Sequence, residues 1–222
     1  MSLSAIFYPK VRLYESTYIP GILEEIYIKD VYGDLFRGKK DLTILDLGAN
    51  CGITAQYFRE FGKVYSCEPC LDQFEALSAN KKFNEWDNVE IFNVAIADKD
   101  GEAMFHTNRS NMTAGSLDNP FFDAIKGGHN YDSGVMVKTV ALDTFLEQNK
   151  IKSVDFMKLD VEGQETSILP SEGFKNIVSK IKVMMIEFHM NPGYEPLLEL
   201  VKSFGFKEQR FSTDTVNYLF TR

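Results

Sequence analysis

The chain has 222 residues, 44% of them hydrophobic, and a formal net charge of −8. That length supports one substantial core, and an acidic balance with no run of Lys or Arg argues against a nucleic-acid partner. No apolar run reaches the roughly 20 residues that a membrane-spanning helix needs.

No signal peptide is read at the start, where Met1-Ser2-Leu3 fits a cloning leader. Three cysteines, Cys51, Cys67 and Cys70, are an odd count that builds no disulfide framework, so a reducing cytoplasm is the expected location. Residues 1–41 read as an N-terminal cap whose apolar positions are Ile22, Ile26, Ile28 and Val31. Residues 42–222 read as the main domain.

From Leu42 onward strand and helix signals alternate, which predicts an α/β sheet with helices on both faces. Thr43 to Leu47 is the first strand. The helix after it carries Ile53, Tyr57, Phe58 and Phe61 and stops at Gly62. Lys63 to Cys67 is the second strand. Asp72 and Glu75 predict a capped start for a helix bearing Phe74, Leu77 and Lys81. Val89 to Val94 is the third strand.

Glu102 to His106 and Val135 to Val140 then read as two extra strands. Thr107 to Gly134 between them is a long polar insertion, expected to be a lid over a substrate. The alternation resumes with Val154 to Leu159, a short helix after Gly163, and Lys182 to Phe188. Pro196 and Gly205 bracket a helix from Glu195 to Ser203. Phe206 to Gln209 and Val216 to Phe220 read as a terminal β-hairpin.

The chemistry starts at Asp46-Leu47-Gly48-Ala49-Asn50-Cys51-Gly52, with Glu68 sixteen residues further on at the next strand end. A strand, a glycine-bearing turn, a helix and a strand ending in an acid make a nucleotide half-site. The glycines let backbone approach a ligand, and the acid accepts two ribose hydroxyls. A dinucleotide fingerprint needs a glycine where Asn50 stands, so a pyrophosphate has little room. An amino-acid tail fits better, its carboxylate against helix-end N–H groups and its ammonium near Asp46. Ribose without phosphate plus a zwitterionic tail is S-adenosylmethionine. The terminal hairpin agrees, because methyltransferase sheets end in an antiparallel strand.

The string Ile44 to Gly52 resembles the first motif of the FkbM-type methyltransferases. Cys67-Glu68-Pro69, Asn93-Val94-Ala95 with Asp98 and Gly101, and Met157-Lys158-Leu159-Asp160-Val161-Glu162-Gly163-Gln164-Glu165 resemble that family in order and spacing. Thr139-Val140-Ala141-Leu142-Asp143 and Ile186-Glu187-Phe188-His189 do so too. The resemblance implies a class I Rossmann-like methyltransferase fold, with a seven-stranded, mostly parallel sheet ending in an antiparallel hairpin. It also implies methyl transfer from S-adenosylmethionine to an oxygen of a sugar or natural product.

Asp46, Glu68, Ala95, Asp160 and His189 fall at strand ends, the edge where open α/β sheets bind ligands. The cofactor-binding set is therefore Asp46, Gly48, Asn50, Gly52, Glu68, Asn93 and Ala95, the last small enough for adenine to lie against it. His189 and Asp160 are the candidates for the catalytic base; as an inert alternative, His189 simply ends a strand. Lys158 is expected to pair with an acid, and Glu162 and Glu165 to serve as helix N-terminal acids.

No metal is expected. Cys51, Cys67 and Cys70 lack a fourth ligand, and Asp160, Glu187 and His189 could hold a divalent cation but have no diagnostic spacing. Asn108, Asn111, His129 and Tyr131 are available in the insertion to recognise the hydroxyls of a glycan or small-molecule acceptor. Two other readings stand beside the O-methyltransferase. One is a non-catalytic cofactor-binding module of the same fold, the other a nicotinamide-dependent oxidoreductase.

Overall fold

Two β-sheets share one chain, the larger carrying the nucleotide-type turn and the smaller roofing it. The structure is a computed structural model and describes residues 19–108, 111–117, 134–189, 193–210 and 217–222. Among the described residues no helix is long and apolar enough to cross a membrane.

The strands of the large sheet are β1 (Leu42–Leu47), β2 (Gly62–Cys67), β3 (Val89–Phe92), β8 (Phe156–Leu159), β9 (Val183–Glu187), β10 (Lys207–Arg210) and β11 (Asn217–Thr221). They lie in the order β10-β11-β9-β8-β1-β2-β3. Every pair is parallel except β11 with β9 and β10 with β11. The class I sheet and its antiparallel end are as the sequence predicts.

β1 has β2 on one side and β8 on the other, so the strand order reverses there. Such a switch point leaves a crevice beyond the carboxyl ends of the two strands. Side chains alternate across the sheet. Leu45 and Leu47 join the core on one face with Leu159 and Ile186, while Ile44 joins the opposite core with Val64 and Phe156.

The helices on the two faces are short. α1 (Ile19–Leu23) runs into a π-helical turn, Glu24–Ile28, and is followed by α2 (Gly33–Phe36). Tyr32 and Phe36 pack on Phe58 and Phe156, with ring centroids 5.0–6.1 Å apart. That aromatic cluster fastens the N-terminal cap to the sheet. Ile26 is buried, but Ile28, expected to be apolar core, is 64% exposed. The π-turn rotates Ile28 off the buried stripe.

α3 (Ile53–Phe58) ends sooner than the apolar spacing predicts, and α4 (Leu71–Phe83) starts at Leu71 with Cys70 as its N-cap. Asp72 therefore lies inside the first turn and makes no cap hydrogen bond. α5 (Leu142–Gln148) and α7 (Glu172–Ile177) have no counterpart in the sequence reading. α6 (Glu165–Ile168) and α8 (Glu195–Ser203) match it.

The small sheet contains β4 (Ala95–Ala97), β5 (Gly101–Asn108), β6 (Asn111–Leu117) and β7 (Val135–Ala141), in the order β4-β7-β5-β6. The expected insertion loop is therefore partly strand: β6 returns antiparallel along β5, pairing Leu117 with Phe105. Gly115 makes room for the Phe105 ring, which a Cβ there would meet at 2.4 Å. Ala95, Ala97, Phe105, Leu117 and Cys70 form a small core of their own. The rest of the insertion, including His129 and Tyr131, and the hairpin turn at 212–214 fall outside the described residues, as do the side chains of Asn108 and Asn111.

Candidate active site

A cavity of ≈ 380 Å³ opens at the switch point, within the range of about 300–1,000 Å³ usual for small-molecule sites. The turn after β1 forms one wall. Gly48 (φ +84°) lies against the loop after β8, so a Cβ there would stand 1.8 Å from the Asp160 carbonyl oxygen. Asn50 is left-handed (φ +51°), a conformation its short polar side chain tolerates, and its Oδ1 accepts from Cys51 N at 2.7 Å.

Every backbone N–H of this turn is already a donor within the protein. Gly48 N and Ala49 N reach the Cys67 carbonyl, Asn50 N reaches Glu68 Oε2, and Gly52 N reaches the Ala49 carbonyl. The expectation that turn amides receive an amino-acid carboxylate therefore does not hold for residues 48–52. In addition, α3 has only six residues. Lys158 is the Lys or Arg among the described residues of the cavity wall. Its Nζ donates to the Gly48 carbonyl at 3.0 Å and Asp160 Oδ2 at 2.8 Å, leaving one N–H.

Glu68 ends β2 and faces the cavity. Its Oε2 and Oε1 accept from Asn50 N and Cys70 N, both at 2.8 Å. Burial raises its carboxyl to about 7, against the pull of those two amides. Asp46 is fully buried behind the turn; its Oδ2 accepts from Thr54 and Ser66, but Oδ1 has no partner. Burial raises Asp46 as well, opposed by the Lys158 charge beside it.

Of the residues expected to bind a cofactor, Gly48, Asn50, Glu68 and Ala95 line the cavity. Asp46, Gly52 and Asn93 do not. Gly52 is turned toward Leu77 and Trp86, 2.5 Å and 3.2 Å from where its Cβ would be. Asn93 spends its amide on the carbonyls of Glu68 and Pro69, at 2.9 and 3.1 Å, and so supports the Glu68 loop from behind.

The far end of the cavity is acidic. Asp160 and Glu162 come from the loop after β8, Glu187 is the last residue of β9, and His189 lies two residues beyond it. His189 Nε2 is 3.6 Å from Asp160, 3.5 Å from Glu162 and 3.5 Å from Glu187. Its Nδ1 is 3.4 Å from Glu165 Oε1, and Glu165 is itself buried and accepts from Val161 N and Gly163 N. Glu165 is the expected acid in the first turn of α6, whereas Glu162 lies ahead of that helix and lines the cavity.

Burial raises Glu162 to about 8 and Glu187 to about 7. Burial would raise Asp160 too, but Lys158 and His189 hold its carboxyl below the usual range. For His189 burial is outweighed by Glu165, Glu162 and Asp160, so the imidazole is held well above its ordinary value.

The three thiols are buried and free, and burial pushes the Cys51 thiol up to about 12. The N-terminal cap also contributes Gly21, Ile22, Glu25 and Ile26 to the wall. The Ile22/Ile26 spacing marked the apolar stripe, but nothing in the sequence located the cavity it closes.

A family model described as the methyltransferase FkbM domain matches residues 46–210. The chain belongs to the FkbM methyltransferase family. The 2-O-methyltransferase NoeI of Sinorhizobium fredii is 27% identical over 189 residues, covering 77% of this chain and 75% of that protein. The hexuronic acid methyltransferase AglP of Haloferax volcanii is 23% identical over 190 residues, covering 81% and 73%. A solved precorrin-6y C5,15-methyltransferase from Geobacter metallireducens aligns over 87% of this chain and 86% of that one, with 11% identity and a TM-score of 0.49.

The methyl donor of an FkbM methyltransferase is S-adenosylmethionine, and the residues present fit it. Asp46 Oδ1 is a buried acceptor lacking a donor behind the turn, although Asp46 itself does not line the cavity. Each Glu68 oxygen keeps a lone pair for a ribose hydroxyl after accepting its amide. The third N–H of Lys158 suits the carboxylate that the turn amides cannot take.

Proposed function

We propose that this FkbM methyltransferase is an O-methyltransferase acting on a hydroxyl of a sugar, glycan or small natural product. One observation carries the reading: the His189–Asp160 cluster shares a single cavity with the Glu68 cofactor wall. NoeI is named for 2-O-methylation and AglP for a hexuronic acid, which supports a sugar oxygen as the acceptor.

Bound S-adenosylmethionine supplies an electrophilic methyl on a sulfonium. The residues of the chain do the rest by placement and proton handling. The loops after β1 and β8, in contact at Gly48 and Asp160, hold the donor end and the acceptor end in register. Asp160, kept ionised by Lys158, accepts a hydrogen bond from the acceptor hydroxyl, and His189 orients that oxygen. The carboxylates around His189 would take the proton that the acceptor hydroxyl gives up on methylation.

The proposal includes a cytoplasmic location, supported by three thiols left free, and an acceptor other than nucleic acid, supported by the acidic wall. The test is incubation with isotopically methyl-labelled S-adenosylmethionine and a panel of neutral sugars and hexuronic acids. Label in a sugar ether supports the reading. Asp160→Asn and His189→Gln are expected to lower kcat by roughly 100-fold, while S-adenosylhomocysteine affinity stays within about twofold. Cofactor binding with no transfer to any hydroxyl would leave a binding module instead.

A further inference from the structure

Three carboxyl groups, two from the loop after β8 and one from the end of β9, converge on one imidazole nitrogen. At 3.5–3.6 Å, the contacts of His189 Nε2 with Asp160, Glu162 and Glu187 exceed the span of about 2.7–3.2 Å of an N–H···O bond. They match the separation between neighbouring donors of a metal shell, about 3.0–3.5 Å when each donor lies about 2.0–2.2 Å from the ion. One atom each from Asp160, Glu162 and His189 lies within 4.8 Å of the others.

The environment behind the imidazole points the same way. Glu165 takes no place in that shell. It is 1% exposed, fixed by two backbone amides, and faces Nδ1. Nδ1 faces Glu165 and Nε2 faces the three carboxyl groups, so a cation that takes the place of the Nε2 proton meets the carboxylate–histidine arrangement that orients metal-binding imidazoles.

Charge adds a third argument. The described cavity wall carries Glu25, Glu68, Asp160, Glu162 and Glu187. Against these stand His189 and Lys158, whose ammonium is already paired with Asp160 and lies beside Asp46. Carboxyl groups outnumber basic groups there, five to two, and a cation that binds among them displaces their protons.

We propose that His189 Nε2, Asp160 and Glu162, with Glu187 at the rim, form a divalent-cation site that holds the acceptor of the methyl group. One imidazole among carboxylates suits Mn²⁺ or a neighbouring first-row ion. Adjacent oxygens of a sugar complete its coordination, and the ion draws electron density from the hydroxyl so that its proton leaves more readily. It also admits a carboxylate-bearing sugar to a wall that otherwise repels one. The role in holding the acceptor rests on the hydroxyl-acceptor reading above, whereas the binding of the ion does not.

The test is Mn²⁺ titration of the metal-stripped full-length protein, followed by electron paramagnetic resonance and calorimetry. Wild type is expected to bind one ion. His189→Ala and Glu162→Gln should each weaken it at least tenfold, and Glu172→Gln, on an exposed helix turn, should leave it unchanged. S-adenosylhomocysteine affinity reports whether each variant is folded, and Glu162→Gln retains the shape of the site if His189→Ala does not fold. No Mn²⁺ binding by wild type, or equal binding by folded variants, overturns the site. Sugar methylation that survives chelator with no bound ion overturns it while sparing the proposed function. A bound ion with no sugar methylated does the reverse.

Discussion

At the residue scale the site depends on a few atoms with no room to move. Gly48 combines a left-handed φ with contact against the Asp160 carbonyl. Gly48→Ala must push the β1 and β8 loops apart, so it is expected to cost about 3 kcal/mol in urea unfolding and to abolish S-adenosylhomocysteine binding by calorimetry. Glu68 sets a pH dependence. Its folded value of about 7 lies above the usual 4.5, and Lys158 and Asp160 are the charged groups acting on it, with opposite signs. Between pH 4.5 and 7 the folded chain keeps a proton that the unfolded chain has lost. Stability therefore falls across that window, by about 3 kcal/mol in all. Over the same range the ionised carboxylate becomes the better acceptor for ribose hydroxyls, so cofactor affinity rises through pH 7. Unfolding and calorimetry at pH 5, 6, 7 and 8, compared with Glu68→Gln, separate the two trends, since the variant loses both.

At the element scale, local signals were strongest where an end is marked chemically. Pro196 and Gly205 marked the two ends of α8, and the turn at Gly48 to Gly52 marked the end of β1. Signals failed where tertiary pairing overrode composition. β6 is rich in Asn, Gly and Ser, and becomes a strand because β5 offers it an edge, not because its sequence favours one. α4 begins ahead of Asp72 because the Cys70 amide is drawn to Glu68. β6 also reaches the active site: Ser116 Oγ donates to the Glu162 carbonyl at 2.8 Å. Glu162 is left-handed (φ +52°), so its carboxylate depends on that tether. Ser116→Ala is expected to lower kcat about tenfold in the methylation assay with donor KM unchanged, because the donor wall lies on β1 and β2.

At the scale of the whole molecule, the chain has a net charge of −8, and carboxyl groups outnumber basic groups along the described cavity wall. The donor carries a sulfonium and the product does not. S-adenosylmethionine should therefore bind roughly fivefold more tightly than S-adenosylhomocysteine at low ionic strength, and calorimetry in added salt should show the gap narrowing.

The sequence by itself determined the half-site, its cofactor, the class I sheet and the family, because turn chemistry, strand length and motif spacing are short-range properties of the chain. Only the tertiary structure decided that the turn amides are already spent, that Gly52 and Asn93 stand behind the wall, and that the N-terminal cap closes the cavity. It also decided that Glu162, Glu165 and Glu187 meet at His189. Those groups are joined by strand register and loop path, which bring distant positions within 4 Å of one another. No local pattern along the chain encodes that distance.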